Sequence, residues 1–204
     1  MARQRIERDF YPTEAALTQV LLRHIEIDGD ILEPCAGDRA MAIALRGSER
    51  NVYCSDIRDA AAGKPADATT REFWGWYDGR NEYFQTEWAI TNPPFNAAPA
   101  IIPLAYEHSS RGIAMLLRLS YLEPCANRAQ WLADHADNLR AIIPVNPRPR
   151  FRSDTGGTDS VTVAWFVWDK LHSWAGLGVP CPFIFESGWK EKGYMQNGAI
   201  RSQA

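Results

Sequence analysis

The sequence has few cysteines, no long apolar run and no excess of basic charge. Its four cysteines, at positions 35, 54, 125 and 181, include no C-x-x-C pair of the kind found in zinc and redox sites. No apolar run approaches the roughly 20 residues that a membrane-spanning helix needs. The charged segment 1–9 contains no apolar core of a secretory signal. We therefore predict a reduced, cytoplasmic protein that holds no metal and does not enter a membrane.

The composition is that of a folded domain rather than a disordered or fibrous chain. Of 204 residues, 46% are hydrophobic and 23% charged, which is enough apolar material for one core. The net charge is −3, so any surface that binds nucleic acid has to be a local patch. We predict a main domain over residues 1–170 and a tail over 171–204 that acts as a lid or a substrate-recognition element.

Strand and helix patterns alternate along the chain. Short apolar segments typical of buried strands occupy residues 30–34, 51–55, 87–91, 112–117, 140–145 and 160–169. Helical patterns occupy residues 13–27, with Thr13 as the capping residue, and residues 39–46, 97–108 and 127–137. The stretch 60–80 has the composition of a loop. This alternation predicts an α/β fold with a mainly parallel sheet and helices on both faces.

Polar side chains stand at or just after the ends of three predicted strands. Glu33 closes the first strand, Asp56 follows the second, and Asn92 follows the third. In a parallel sheet the carboxyl ends of the strands meet at one edge, which is where ligands bind. The sequence therefore predicts a site formed by these three positions.

The turn after the first strand and the acid after the second suit a nucleoside. The small residues of Glu33-Pro34-Cys35-Ala36-Gly37-Asp38 bring backbone N–H groups to a ligand's polar end. Asp56 can accept hydrogen bonds from both hydroxyls of a ribose. A plain strand–helix connection and a turn-capping role for Asp56 are the alternatives.

The motif Asn92-Pro93-Pro94-Phe95 is more specific. Two prolines stiffen the backbone just after a strand and leave its carbonyls without local donors. The Asn92 side-chain oxygen and the Pro93 carbonyl can both accept from one NH₂ group, and Phe95 can stack on a planar ring. This set suits an amine on an sp² carbon, whose nitrogen becomes nucleophilic as it turns pyramidal. A rigid turn without chemistry is the alternative.

Between about Asp9 and Asp169 the sequence resembles the class I S-adenosylmethionine-dependent amino-methyltransferases. It is most similar to the N6-adenine DNA methyltransferases, including small phage and prophage types. Asn92-Pro93-Pro94-Phe95 matches their catalytic [DNS]-P-P-[YFW] motif. The segment 33–38 matches their E-P-x-x-G-x-G cofactor motif, except that Asp38 and Arg39 stand where a glycine is commoner. The resemblance implies a Rossmann-like sheet of seven strands whose last two form an antiparallel hairpin.

The resemblance also implies which residues bind and react. Phe10-Tyr11-Pro12-Thr13 is similar to the N-terminal motif that covers the methionine end of the cofactor, and Asp56 matches the acid that binds its ribose. The residues implied to bind S-adenosylmethionine are Tyr11, Pro12, Thr13, Glu33, Pro34, Cys35, Ala36, Gly37, Asp38, Asp56, Ile57, Asp67 and Asn92. The residues implied to be catalytic are Asn92, Pro93, Pro94 and Phe95.

A basic loop supplies the nucleic-acid contacts expected of such an enzyme. Arg148, Arg150 and Arg152 alternate with prolines or flank Phe151, and the stretch 138–153 contains no acidic residue.

 

Arginines on a stiff loop suit phosphates or a guanine edge, and Phe151 can flank a flipped base. We expect Arg148, Arg150, Phe151 and Arg152 to contact nucleic acid, with a solvated loop as the alternative.

The predicted activity is methyl transfer from S-adenosylmethionine to the N6 amine of adenine in double-stranded DNA, with the target base flipped out of the helix. RNA adenine, cytosine N4 and the amide of protein glutamine remain alternative substrates, because each presents a planar, weakly nucleophilic NH₂ group. A cofactor-binding subunit without catalysis is the remaining alternative. The target sequence and the oligomeric state are left open.

Overall fold

The core of the protein is a six-stranded sheet with helices on both faces. A computed structural model describes residues 13–47, 50–59, 64–77, 85–123, 125, 128–149, 162–183, 194–196 and 199–201. The strand order is β2-β1-β3-β4-β6-β5. The strands of this sheet are β1 (Ile31–Glu33), β2 (Val52–Cys54), β3 (Trp88–Thr91), β4 (Gly112–Arg118), β5 (Leu139–Pro144) and β6 (Val163–Asp169). A separate pair consists of β7 (Tyr194–Gln196) and β8 (Ala199–Arg201).

Five α-helices and two 3₁₀ turns connect the strands in the described part of the chain. The helices are α1 (Ala15–His24), α2 (Ala40–Arg46), α3 (Arg71–Tyr77), α4 (Ala98–His108) and α5 (Ala129–Asp134). The 3₁₀ turns are Ile57–Asp59 and Leu119–Leu122.

The strands are apolar on both sides because helices cover both faces of the sheet. On one face, Leu21 of α1 and Leu45 of α2 pack with Ile31 and Ile90. On the other face, helices α3, α4 and α5 pack against the alternate strand residues, of which Leu32 is one. Strands β4 and β6 are buried along almost their whole length, which is typical of central strands.

The predicted α/β fold is confirmed, with one difference in the number of strands. Strands β1 to β4 are parallel, and β6 runs antiparallel to both β4 and β5, as expected for the final hairpin. The described residues form six strands in this sheet instead of seven. Between β2 and β3 they form helix α3, where Phe73 and Trp74 are fully buried. Burial of these two rings explains why the stretch predicted as a loop is helical here.

Helix α1 begins later than predicted. Its N-cap is Glu14, and no side chain caps the helix. The hydroxyl of Thr13 instead accepts a hydrogen bond from the Asn92 amide, at 3.0 Å. Thr13 is therefore not the cap of α1 but a contact of the predicted catalytic motif.

The topology places several strand ends at one edge of the sheet. Strands β1 and β2 lie on one side of the point where the order reverses, and β3 lies next to β1 on the other side. Such a switch point leaves a crevice beyond the carboxyl ends of the strands. Because β5 is antiparallel to β6, and β6 to β4, β5 ends at the same edge as β4. The loop between β5 and β6 therefore starts at the edge that carries Glu33 and Asn92.

The first part of the predicted tail contacts the main domain. The Trp174 indole donates to the carbonyl of Leu139 at 3.0 Å, and the Ser173 hydroxyl donates to Asp137 at 2.6 Å. The domain boundary at residue 170 remains a prediction.

Candidate active site

A cavity of about 120 Å³ opens at the switch point of the sheet. Its walls include eleven of the predicted cofactor-binding residues and one further residue of the predicted catalytic motif. These residues are Thr13, Glu33, Pro34, Cys35, Ala36, Gly37, Asp38, Asp56, Ile57, Asp67, Asn92 and Pro94. Four carboxyl groups and one guanidinium, that of Arg58, line the cavity, so its charge favours a cationic ligand.

The turn after β1 is held against the end of β2. The backbone N–H of Gly37 donates to Asp56 Oδ2 at 2.8 Å, and that of Ala36 donates to the carbonyl of Ser55 at 2.9 Å. Gly37 has a φ of +56°, a conformation that a residue without a Cβ adopts at little cost. The glycine therefore allows the turn to bring its backbone to Asp56.

Arg39 adopts a left-handed conformation at the position where the resembling family commonly has glycine. Its φ is +66°, and it is the N-cap of α2. A side chain in this region costs about 1 kcal/mol relative to glycine.

We predict that Arg39→Gly is more stable than Arg39→Ala by about 1 kcal/mol, measured as the free energy of unfolding in urea. The alanine variant is the matched control because it also lacks the arginine side chain; equal stability of the two variants would contradict the prediction.

Asp56 is nearly buried and fully hydrogen-bonded. Its Oδ1 accepts from the Arg58 backbone N–H at 3.0 Å and from Arg58 Nε at 2.7 Å, and its Oδ2 accepts from Gly37 and from the other end of the guanidinium. Burial raises the pKa of Asp56, but the hydrogen bonds from Arg58 and Gly37 outweigh it and hold this pKa below its ordinary value. The carboxylate is therefore ionised, and ribose hydroxyls would compete with the Arg58 side chain for its oxygens.

Glu33 is the most deeply buried acid among the described residues of the cavity. Its side chain is 2% exposed, and its Oε2 has no hydrogen-bond partner among the described residues. Burial raises the pKa of Glu33 to about 8, with the backbone N–H of Ala42 opposing the shift and Asp38 and Asp56 adding to it. An unpartnered buried oxygen is costly, so this position favours a ligand that donates a hydrogen bond.

Asn92 and Pro94 face the same cavity as Glu33. The Asn92 amide nitrogen donates to Thr13 Oγ1, which leaves the Asn92 side-chain oxygen without a protein donor among the described residues. The Pro94 carbonyl accepts from Ala97 and Ala98, both at 2.9 Å, and so starts α4. No backbone N–H of the described residues donates to the carbonyl of Pro93, which is buried and does not line this cavity. Neither of these two acceptors of the motif therefore receives a hydrogen bond from the described residues.

Phe95 turns away from the first cavity and lines a second one. The second cavity, of about 240 Å³, is formed by the turn after β3, the start of α4, the end of β4, the 3₁₀ turn after it and the N-cap of α5. Its lining residues are Phe95, Asn96, Ala98, Leu117, Arg118, Ser120, Tyr121 and Arg128. The Arg118 guanidinium lies over the Phe95 ring, 4.5 Å from its centre. The two cavities thus adjoin the same four-residue motif.

Asp67 both lines the first cavity and holds the turn before α3. Its Oδ1 accepts from the Thr69 N–H at 2.9 Å and from the Thr69 hydroxyl at 2.7 Å. Ile57, 47% exposed, lies beside Asp56 on the cavity wall.

Part of the predicted nucleic-acid loop lies at the same edge of the sheet. Arg148 follows β5 and is exposed. Arg150, Phe151 and Arg152, like Tyr11 and Pro12, lie outside the described residues.

Several cavity residues were not predicted from the sequence. Met41, Arg58, Ala66, Thr69, Ala97 and Ile101 also line the first cavity, and Arg118 and Arg128 line the second. The position of Arg118 could have been predicted from the sequence. It is the first charged residue after the buried apolar run of β4, which places it at the carboxyl end of a strand. Arg58 could have been found in a similar way, because it stands two residues after Asp56 and so just beyond the end of β2.

The described part of the chain contains neither a helix that could span a membrane nor a group of metal ligands. Its helices include none long and apolar enough to cross a membrane. The same residues contain no group of three or more His, Cys, Asp or Glu side chains placed to hold a metal ion.

Solved structures show which known fold this arrangement resembles. The methyltransferase subunit of a type I restriction-modification system from Streptococcus thermophilus matches with a TM-score of 0.54 at 12% identity, over 79% of this chain and 45% of that one. This chain has a methyltransferase-like fold. It spans less than half the length of that subunit. No protein-family model and no curated protein sequence matches the chain.

Two weaker likenesses accompany this match. One is a structure from work on the conversion of a disulfide bond into a thioacetal group during echinomycin biosynthesis, with a TM-score of 0.49 at 16% identity, over 79% of this chain and 84% of that one. The other is Thermoplasma acidophilum 1320, with a TM-score of 0.44 at 19% identity, over 77% of this chain and 89% of that one.

Proposed function

We propose that the protein transfers a methyl group from S-adenosylmethionine to the N6 amine of adenine in DNA. The observation that carries this proposal is the convergence of Glu33, Asp56 and the Asn92 turn on one cavity at the switch point of a methyltransferase-like fold. The Streptococcus thermophilus structure with this fold is a restriction-modification methyltransferase subunit, which favours the same class of reaction.

The residues present fit the cofactor. S-adenosylmethionine supplies a methyl group on a positively charged sulfur. Asp56 would hold the ribose hydroxyls, and Ile57 and Ala68 offer apolar surface to the adenine ring. The unpartnered oxygen of Glu33 would accept a hydrogen bond from a donor of the ligand. The excess of carboxyl groups in the cavity matches a ligand of positive charge.

Asn92 and Pro93 would bind the amine that is methylated. The Asn92 side-chain oxygen and the Pro93 carbonyl would each accept one of its hydrogens, and this would favour the pyramidal nitrogen that forms the new C–N bond while the sulfur–methyl bond of the donor breaks and S-adenosylhomocysteine leaves. The nitrogen then loses one proton to water, because alkylation has made that proton acidic. No strong base is required, and a planar exocyclic amine fits the pair of acceptors.

The charges around the motif favour nucleic acid as the substrate. Arg118, Arg128 and Arg148 stand at or near the carboxyl edge of the sheet, on an otherwise mildly acidic chain. A local basic patch is what phosphate contacts require. The leading Asn of the motif favours adenine over cytosine by its likeness to the N6-adenine methyltransferases.

Thr13 acts as a positioning residue for Asn92. Its hydroxyl holds the amide nitrogen of Asn92 and so directs the amide oxygen to the substrate. We predict that Thr13→Val lowers kcat about tenfold, the effect of one lost hydrogen bond. Thr13→Ser keeps the hydroxyl and should restore most of the rate. A serine variant as slow as the valine variant would contradict this role, because serine keeps the hydroxyl that is proposed to hold Asn92.

The proposed function is tested by calorimetry with S-adenosylhomocysteine followed by methyl transfer to DNA and RNA of the same sequence. We expect binding of the product and transfer to DNA. Transfer to RNA alone would favour the alternative substrate, and binding without any transfer would favour a cofactor-binding subunit. Absence of binding would contradict the proposal.

A further inference from the structure

The second cavity lies beside the catalytic motif and has no role in the cofactor site. We propose that this cavity binds a phosphodiester of the nucleic-acid substrate, next to the nucleotide that is methylated. The inference rests on the proposed function, since it assigns a further contact of the same substrate.

The position of Arg118 connects this cavity to the motif. Strands β3 and β4 are parallel and in register from Trp88 with Gly112 to Thr91 with Met115. Arg118 therefore stands at the same edge of the sheet as Asn92, on the adjacent strand. Its guanidinium contacts the face of Phe95 and makes no hydrogen bond to any described residue. All of its N–H groups are available to a ligand.

Arg128 lines the same cavity and is held by contacts within the protein. Its Nε donates to the carbonyl of Glu123 at 2.9 Å and another nitrogen donates to the carbonyl of Ser120 at 3.2 Å, while the guanidinium lies 5.0 Å from the centre of the Tyr121 ring. These contacts hold the side chain in one orientation and leave further N–H groups unused. A guanidinium fixed in this way binds a phosphate without a large loss of side-chain freedom.

The chemistry of the lining selects an anion. Two guanidinium groups and the Ser120 hydroxyl line the cavity, and none of its lining residues is acidic. Burial raises the pKa of Tyr121 to about 12, so its hydroxyl also remains a donor at neutral pH. A neutral base in this cavity would leave two cations without a counter-charge, whereas a phosphate matches both of them. Phosphate groups flank every nucleotide, so a target base held at Asn92 brings one close to Phe95.

The test is the binding of a single-stranded oligonucleotide with one adenine, measured by fluorescence anisotropy over a range of salt concentrations. The protein is compared with the Arg118→Gln/Arg128→Gln double variant and with Arg23→Gln, a control that removes an exposed arginine at the far end of α1. We expect the double variant to bind about 10-fold more weakly. The slope of log affinity against log salt should fall by about 0.7 for one lost phosphate contact. Calorimetry with S-adenosylhomocysteine should be unchanged, which shows that the variant is folded.

A second arm identifies the phosphate. Replacing the phosphates on either side of the target adenine by neutral methylphosphonates should weaken binding to the unaltered protein and have no further effect on the double variant. If the double variant binds with the affinity and salt slope of Arg23→Gln, the proposed site is wrong. If the double variant loses affinity and salt slope while the unaltered protein transfers no methyl group, that result would support the phosphate site and contradict the proposed function. If the unaltered protein transfers methyl groups and the double variant binds with unchanged affinity and salt slope, only the phosphate site is contradicted.

Discussion

Replacement of Asn92 by alanine is expected to lower the rate of methyl transfer by about 100- to 1,000-fold. Asn92 lines the first cavity, and its side-chain oxygen accepts no hydrogen bond from the described residues. Removal of one preorganised polar group that stabilises a transition state typically costs this much. The rate is measured by single-turnover transfer of a labelled methyl group to DNA at saturating cofactor.

Asn51→Ala provides the matched control for this variant. The Asn51 amide donates to Asp30 at 2.9 Å, next to the start of β2 and away from the cavity. We expect this variant to transfer methyl groups at the rate of the unaltered protein. An Asn92→Ala protein that also keeps that rate would show that the motif is only a rigid turn.

Replacement of Glu33 by glutamine is expected to stabilise the ligand-free protein at alkaline pH and to weaken cofactor binding. The pKa of Glu33 is raised from 4.5 to about 8 by burial, so the folded protein keeps a proton that the unfolded chain releases. This proton contributes stability fully below pH 4.5, and the contribution is lost as the pH rises to about 8. Glutamine is neutral at every pH, so the variant should gain a few kcal/mol relative to the unaltered protein at pH 9 and little at pH 5.

Binding should change in the opposite direction. A ligand that donates to Glu33 favours the ionised carboxylate, so binding of S-adenosylhomocysteine near pH 7 should release a proton. The measured heat should then depend on the ionisation enthalpy of the buffer, and this dependence should be absent in Glu33→Gln. We expect the variant to bind about 10- to 100-fold more weakly at pH 8, because a charge-assisted hydrogen bond is lost.

Glu26→Gln is the control for Glu33→Gln, since Glu26 is an exposed acid near the end of α1. Its unfolding curves and binding heats should match those of the unaltered protein at each pH. A Glu33→Gln protein that is less stable at pH 9 and binds S-adenosylhomocysteine with unchanged affinity would contradict the role of Glu33.

The strands and the placement of the site followed from local patterns in the sequence. Apolar runs bounded by Gly, Pro or acidic residues indicated all six strands of the main sheet, because buried parallel strands carry apolar residues on both faces. Glu33, Asp56 and Asn92 were expected together because strand ends in such a sheet share an edge, and all three line one cavity. Their roles in binding and reaction remain predictions.

Contacts between distant segments could not be predicted in the same way. Thr13 and Asn92 are 79 residues apart, and a capping role for Thr13 was the local interpretation. Helix α3 was predicted as a loop because the stretch 60–80 combines small residues, a proline and several aromatics. Only the packing of Phe73 and Trp74 in the core fixes it as a helix. The cavity of Arg118 and Arg128 likewise depends on how the end of β4 meets the turn after β3.

The most direct test of the central claim is mass spectrometry of nucleosides from DNA incubated with the protein and methyl-deuterated S-adenosylmethionine. The claim is that the turn at Asn92 presents an adenine amine to a methyl donor held by Glu33 and Asp56. It predicts deuterated N6-methyladenine with the unaltered protein and little or none with Asn92→Ala. Deuterium in another base, or equal amounts of the labelled product from both proteins, would contradict it.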